Sequence, residues 1–109
     1  MKIIKYNKLI RDRIPEIIKK DGAMPKVSRL NHAKFVKELK KKLVEESNEL
    51  QMARNRKSLL NELSDVLEIL MNIAKVEKLN WKSIENKRKT KKLERGGFDK
   101  KLLLKEVRK

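Results

Sequence analysis

Cysteine is missing altogether, so neither a disulfide nor a thiolate metal site can form. That suits an intracellular protein, and a cytoplasmic location is the expectation. No apolar run approaches the roughly 20 residues that span a bilayer. The opening MKIIKYNK has no apolar signal-peptide core, so no membrane partner is expected. Aromatic residues make up 4% of the chain, too few for a platform that stacks single-stranded bases. His32 is the only histidine, and it is read as a structural or exposed residue at a helix start. Acidic residues are scarce beside basic ones, 15 against 31, which leaves a net charge of +16. Such an excess favours a polyanionic partner: nucleic acid, nucleotide phosphates or an anionic membrane surface. The plainer reading is a Lys-rich solvated surface.

The chain has 109 residues, which suits one domain spanning 1–109, and a chain this short often gains stability by associating. The pattern along it is helical. Lys2 to Tyr6 can extend as an edge strand. Asn7 can cap a first helix through Leu9, Ile10, Ile14, Ile17 and Ile18, with Pro15 as a boundary or kink. Asp21 to Pro25 reads as a loop. Asn31 is a natural cap for a long helix from about His32 to Ala53, whose apolar stripe is Val36, Leu39, Leu43, Leu50 and Ala53. The stripe lacks one member, and that position holds Glu46. A polar turn over 54–57 precedes a second long helix from about Ser58 to Lys78. Its stripe is Leu59, Leu63, Val66, Leu67, Leu70, Ile73 and Ala74, and Glu62 lies along the row Leu59, Val66, Ile69, Ile73. Asn80 then caps a basic helix from about Trp81 to Glu94, stopped by Gly96 and Gly97. Residues 101–107, KLLLKEV, suit a short strand or a helical tail. The fold class expected is all-α, an antiparallel hairpin with short N- and C-terminal extensions.

Carboxylates mark the hairpin. Spacing of three residues puts Glu46 and Glu49 on one face of the first helix, and Glu62 and Asp65 on one face of the second. Folded about the turn near Asn55 and Arg56, Glu49 lies level with Glu62 and Glu46 with Asp65. Packed helices sit roughly 8–10 Å apart, so four inward carboxylates can converge. Together they repel unless protonated, paired with Lys or Arg, or bound to a cation. All-oxygen donors without Cys or His select Mg²⁺, or Mn²⁺. A hydrated metal beside a basic surface suggests phosphoanhydride or phosphodiester chemistry.

These residues resemble the MazG-like all-α nucleoside triphosphate pyrophosphohydrolases. The family pattern, EExxE followed by ExxD, reads here as Glu45-Glu46-Ser47-Asn48-Glu49, then twelve residues, then Glu62-Leu63-Ser64-Asp65. The flanking stretches YNKLIRDRIPEII and LERGGFDKKLLL resemble motifs of a small single-domain, phosphoribosyl-ATP pyrophosphohydrolase-like branch, so the likeness covers nearly the whole chain. It implies a helical bundle that forms a homodimer or a dimer of dimers. It also implies Mg²⁺-dependent hydrolysis between the α and β phosphates of a nucleoside triphosphate, giving monophosphate and pyrophosphate. By position, Glu46, Glu49, Glu62 and Asp65 would be metal ligands, with Glu45 or Glu49 taking the proton of the attacking water. Lys8, Arg11 and Arg13 are candidate phosphate partners in the first motif. In the last helix Lys87, Lys91 and Arg95 share a face at spacings of four, and Gly96 can bring a backbone N–H near a phosphate. Each of these cations also reads as plain solvated surface, and Gly96 as a plain helix stop. Trp81 is read as a core or interface anchor, and Phe98 similarly or as a pocket wall. Two other readings compete: a basic helical nucleic-acid-binding protein without catalysis, and a degenerate family member that binds nucleotide or a partner without hydrolysis. Neither the base nor the sugar preference follows from the residues.

Overall fold

The computed structural model of the protein describes residues 2–109. Its regular elements are four helices: α1 (Ile14–Lys20), α2 (His32–Met52), α3 (Arg56–Val76) and α4 (Trp81–Arg95). Among the described residues there is no strand. The long pair α2 and α3 forms the packed unit, and α4 packs lightly on α3. The pair runs antiparallel: His32 at the start of α2 reaches Glu77 just past the end of α3, Nε2 to carboxylate 3.7 Å.

Asparagine starts three of the four helices. The side chain of Asn31 accepts from the Lys34 N–H at 2.9 Å, Asn55 from Ser58 at 2.8 Å and Asn80 from Lys82 at 2.8 Å. Each bond satisfies one of the N–H groups that a first helical turn leaves without a partner, a contribution of about 1 kcal/mol. Asn55 therefore moves the start of α3 into the expected polar turn, to Arg56 rather than Ser58.

Two helices end in the same backbone motif with different residues. After α1 the Ala23 N–H donates to the Ile18 carbonyl and Gly22 to Lys19, with Gly22 at φ +88°. After α3 the Leu79 N–H donates to the Ala74 carbonyl and Lys78 to Lys75, with Lys78 at φ +58°. This is the Schellman arrangement, whose left-handed residue is normally glycine.

The N-terminal expectations are corrected. Lys2 to Tyr6 is exposed and is not a strand, because no second strand is present to pair its backbone. The first helix begins at Ile14, with Pro15 in its first turn, rather than running from Asn7 through the proline. A proline ring disfavours helical geometry in the chain before it but fits the first turn, so the helix starts there. Asn7 instead takes a left-handed conformation at φ 48°. At the other end, residues 101–107 form neither strand nor helix and stay exposed.

The core lies in the hairpin seam and is small. Leu39, Ile69 and Ala74 are its buried apolar residues. On α2 the expected stripe holds, with Val36, Leu43, Leu50 and Ala53 half-buried around Leu39. On α3 the expected stripe holds in part: Val66, Ile73 and Ala74 are buried or half-buried, together with Ser58, Glu62, Asp65, Ile69 and Val76, while Leu59, Leu63, Leu67 and Leu70 face outward. Leucines surround α3 on more than one side, so periodicity alone permitted either face, and packing against α2 selects one. The radius of gyration is 18.8 Å, against about 13 Å for a compact chain of this length.

Comparison of the two Schellman ends yields a stability test. Lys78→Gly removes the strain of a left-handed side-chain-bearing residue and should stabilise the protein by about 1 kcal/mol. Gly22→Ala, where a Cβ meets no atom within 4 Å but the φ of +88° persists, should cost a similar amount. Urea titration reads both; a neutral or destabilising Lys78→Gly would contradict the assigned end of α3.

Candidate metal centre

The hairpin register brings carboxylates together around Glu46. This residue is 8% exposed and is the buried charged side chain among the described residues. It takes part in two clusters. Ligand atoms of Glu45, Glu46 and Glu49 lie within 4.8 Å of one another, and so do those of Glu46, Glu62 and Asp65. The first cluster comes from one helix face, through steps of one, three and four residues. The second spans the seam. Glu46 thus meets Asp65, as the register predicts, and also meets Glu62.

Two carboxylate oxygens are buried without a hydrogen-bond partner, Oε2 of Glu46 and Oε2 of Glu62. Leaving a buried acceptor unsatisfied costs about 1–3 kcal/mol, and more when it is charged. The Glu46 carboxyl responds by holding its proton: its pKa rises from 4.5 to about 7. Burial is the largest cause. Glu49, as a hydrogen-bonding and charged neighbour, and then Asp65 push the same way, while Lys42 opposes them.

Three cations face the cluster. Arg11 Nη2 donates to Asp65 Oδ1 at 2.8 Å. Lys8 Nζ lies 3.8 Å from Glu45, and Lys42 Nζ lies 3.8 Å from Glu46. Among the described residues no ion pair reaches Glu49 or Glu62. The centre is therefore short of positive charge, and its shortage falls on the side that carries the orphaned Glu62 oxygen. The residues present fit a divalent cation. Their donors are all hard carboxylate oxygens, and two of those oxygens lack any other partner.

An open groove of about 350 Å³ adjoins the acids at the turn end of the hairpin, lined by Asn48, Glu49, Met52, Ala53, Ser58 and Glu62. Glu49 and Glu62 both line it, with Asn48 and Ser58 as polar neighbours and the exposed Met52 and half-buried Ala53 as apolar ones.

The remaining sequence candidates are placed elsewhere. Arg13 pairs with Glu16 on its own helix at 2.6 Å. Lys87, Lys91, Arg95 and Gly96 belong to α4 and its end, where every residue from 86 onward is exposed. No ion pair or hydrogen bond among the described residues joins these four to the acidic cluster. Gly96 acts as a helix stop, at φ 84° with its N–H on the Lys92 carbonyl at 2.8 Å. Trp81 is half-buried at the start of α4, whereas Phe98 is 97% exposed. Sequence reasoning missed Lys42 and the groove. Lys42 was detectable, since it precedes Glu46 by four residues and such pairs meet on a helix. The groove is formed by residues of both helices on either side of the turn, a juxtaposition no local pattern records. Comparison of the chain with known protein families, curated proteins and solved structures found no match.

The raised Glu46 pKa makes metal-free stability depend on pH. Between pH 4.5 and about 7 the folded protein keeps a proton that the unfolded chain has released. Stability must then fall as pH rises through that window and level off above it, a loss of about 3 kcal/mol. Glu46→Gln, which is neutral throughout, should remove most of this slope in urea titrations at pH 5 and pH 8 with chelator present. An unchanged slope would assign the pH dependence to other groups.

Proposed function

We propose that the protein is a Mg²⁺-dependent nucleoside triphosphate pyrophosphohydrolase of the MazG-like type. Mn²⁺ is an alternative metal, and the products are a nucleoside monophosphate and pyrophosphate. The observation that carries the reading is the Glu46 carboxylate, buried in the helix seam with an unpartnered oxygen and shared by two carboxylate clusters. A merely solvated acidic face would not place a charge there. The order EExxE then ExxD is the resemblance on which the MazG-like part of the reading rests.

In this reading Glu46, Glu49, Glu62 and Asp65 hold the metal. Bound there, a divalent cation supplies charge neutralisation on the phosphates and acidifies a coordinated water. Glu45 and Glu49 lie beside Glu46, with ligand atoms within 4.8 Å of one another, and one of them would hold the proton given up by the attacking water. Lys8 and Arg11, already at the cluster, neutralise charge on the leaving pyrophosphate. The groove bounded by Met52, Ala53, Asn48 and Ser58 takes the nucleoside. Lys87, Lys91 and Arg95 have a part in this scheme only if α4 of another subunit delivers them.

A homodimer belongs to the same proposal. The outward stripe of α3, Leu59, Leu63, Leu67 and Leu70, is 39–49% exposed, and its helical spacing suits packing against a second helix. The small core of one chain gives association an energetic reason. The action is assigned to the cytoplasm, where nucleoside triphosphates are the available substrates.

One observation favours a second reading. Residues 86–109 carry eleven Lys or Arg against three Asp or Glu, all exposed. That arm would suit nucleic acid, with the hairpin acids as structural pairs. It leaves the unpartnered Glu46 and Glu62 oxygens unexplained.

Release of pyrophosphate from a panel of nucleoside triphosphates with Mg²⁺ separates the two. The hydrolase reading expects turnover of at least one nucleotide, abolished by chelator and reduced at least about a hundredfold by Glu49→Gln. No turnover across the panel, or equal turnover by the variant, would remove it. For the dimer, light scattering should give twice the chain mass for the natural protein and the single mass for Leu63→Glu/Leu67→Glu. A natural protein that runs as a monomer would exclude the association.

A further inference from the structure

The segment before α1 crosses the acidic centre from outside and touches both long helices. Lys8 reaches Glu45 on α2 and Arg11 reaches Asp65 on α3. Between them Leu9 and Ile10 are half-buried and anchor the segment. The Arg11 backbone is fixed as well, since its carbonyl accepts from the Ile14 N–H at 3.1 Å. The guanidinium is different: the Arg11 side chain is 58% exposed while Asp65 is 29% exposed. A cation held by a single bond on the solvent side of a carboxylate can swing away while its backbone stays in place.

We propose that this segment is a cationic strap, in which Arg11 holds Asp65 while the centre lacks a divalent ion and turns to a phosphate group once the centre is loaded. The proposal rests on the metal centre of the hydrolase reading, and it adds a direct competition between Arg11 and the metal. The ground is electrostatic. Asp65 shares its cluster with Glu46 and Glu62, whose ligand atoms lie within 4.8 Å. A divalent cation held by Asp65 would share that carboxylate with Arg11, whose Nη2 is 2.8 Å from Oδ1, and two like charges drawn to one carboxylate repel. Arg11 is relieved by leaving Asp65, and an incoming polyphosphate offers it a better-matched bidentate partner. Lys8, 3.8 Å from Glu45, follows the same logic more weakly, as a point charge at a longer distance. The strap thus has two jobs. It screens the carboxylates from one another before loading, and it supplies positive charge to the phosphates afterwards.

The two jobs give Arg11→Gln effects of opposite sign. Mn²⁺ affinity, read by electron paramagnetic resonance of the free ion, should rise roughly two- to fivefold, as expected for loss of an exposed ion pair. Affinity of the Mn²⁺-loaded protein for inorganic tripolyphosphate, read by calorimetry, should fall about fivefold or more. Tripolyphosphate is used because it carries no base. Lys41→Gln removes an equal charge from α2 at a residue with no ion pair, and should leave Mn²⁺ affinity within about twofold. Arg11→Lys should lie between the natural protein and Arg11→Gln in both measurements. Mn²⁺ affinity that is unchanged or lower in Arg11→Gln, or matched by Lys41→Gln, would overturn the strap while leaving the hydrolase reading in place. The same holds for unchanged tripolyphosphate affinity. A natural protein that binds no Mn²⁺ would overturn the metal centre and the strap together.

Discussion

The structure turns on one carboxyl group placed where a leucine would ordinarily sit. Glu46 occupies the α2 stripe that otherwise holds Val36, Leu39, Leu43, Leu50 and Ala53, and it is buried. A seam of aliphatic residues cannot solvate an ionised carboxylate. Everything near Glu46 answers that constraint. Its own pKa rises, so that it carries a proton through much of the acid range. Lys42 approaches from the preceding turn. The opposing helix, however, supplies Glu62 and Asp65 rather than cations, which aggravates the charge. An element that only needed stability would not be built so, because an apolar residue at this position would be neutral or better.

The rest of the fold secures that seam with little material. Three asparagine caps and two Schellman ends fix where α2, α3 and α4 start and where α1 and α3 stop. Those local devices matter more here than in a larger protein, because the buried apolar set among the described residues is Leu39, Ile69 and Ala74. Asn55 starts α3 at Arg56 and so places the hairpin turn, while packing against α2 sets which face of α3 meets the seam. A rotation of about 100°, one residue's worth, would carry Glu62 and Asp65 off that seam.

How much of this could be read from the residues divides along a physical line. Features set by short-range chemistry were legible. Asn31 and Asn80 cap as their side chains require, Gly96 stops α4, and the level pairing of acids followed from counting outward from a turn. Features set by a choice among packing partners were not. The α3 leucines surround the helix broadly enough that the stripe Leu59, Leu63, Leu67 and Leu70 looked like a core face and is outward. Lys2 to Tyr6 has the residues of a strand but no partner strand. Pro15 reads as a boundary or a kink, and which of the two it is depends on whether the preceding chain packs as helix or lies across the acids. It lies across the acids, which is how Lys8 and Arg11 reach them.

That placement bears on why a chain of net charge +16 should gather five of its fifteen acidic residues in one spot. A strongly basic surface draws polyphosphates inward over distances of about a Debye length. An acidic cluster on the same surface would turn them away at the last few ångströms. A divalent ion reverses the local sign, and cations on a loosely held segment can follow the phosphate once the sign is reversed. In the proposed hydrolase the two charge populations are therefore complementary: the surface sets the encounter, and the cluster, with its metal and strap, sets the position. The same division explains why α4 and the residues after it can be so basic without touching the site. Their contribution to an approaching anion is a field, which needs charge and proximity but no contact geometry.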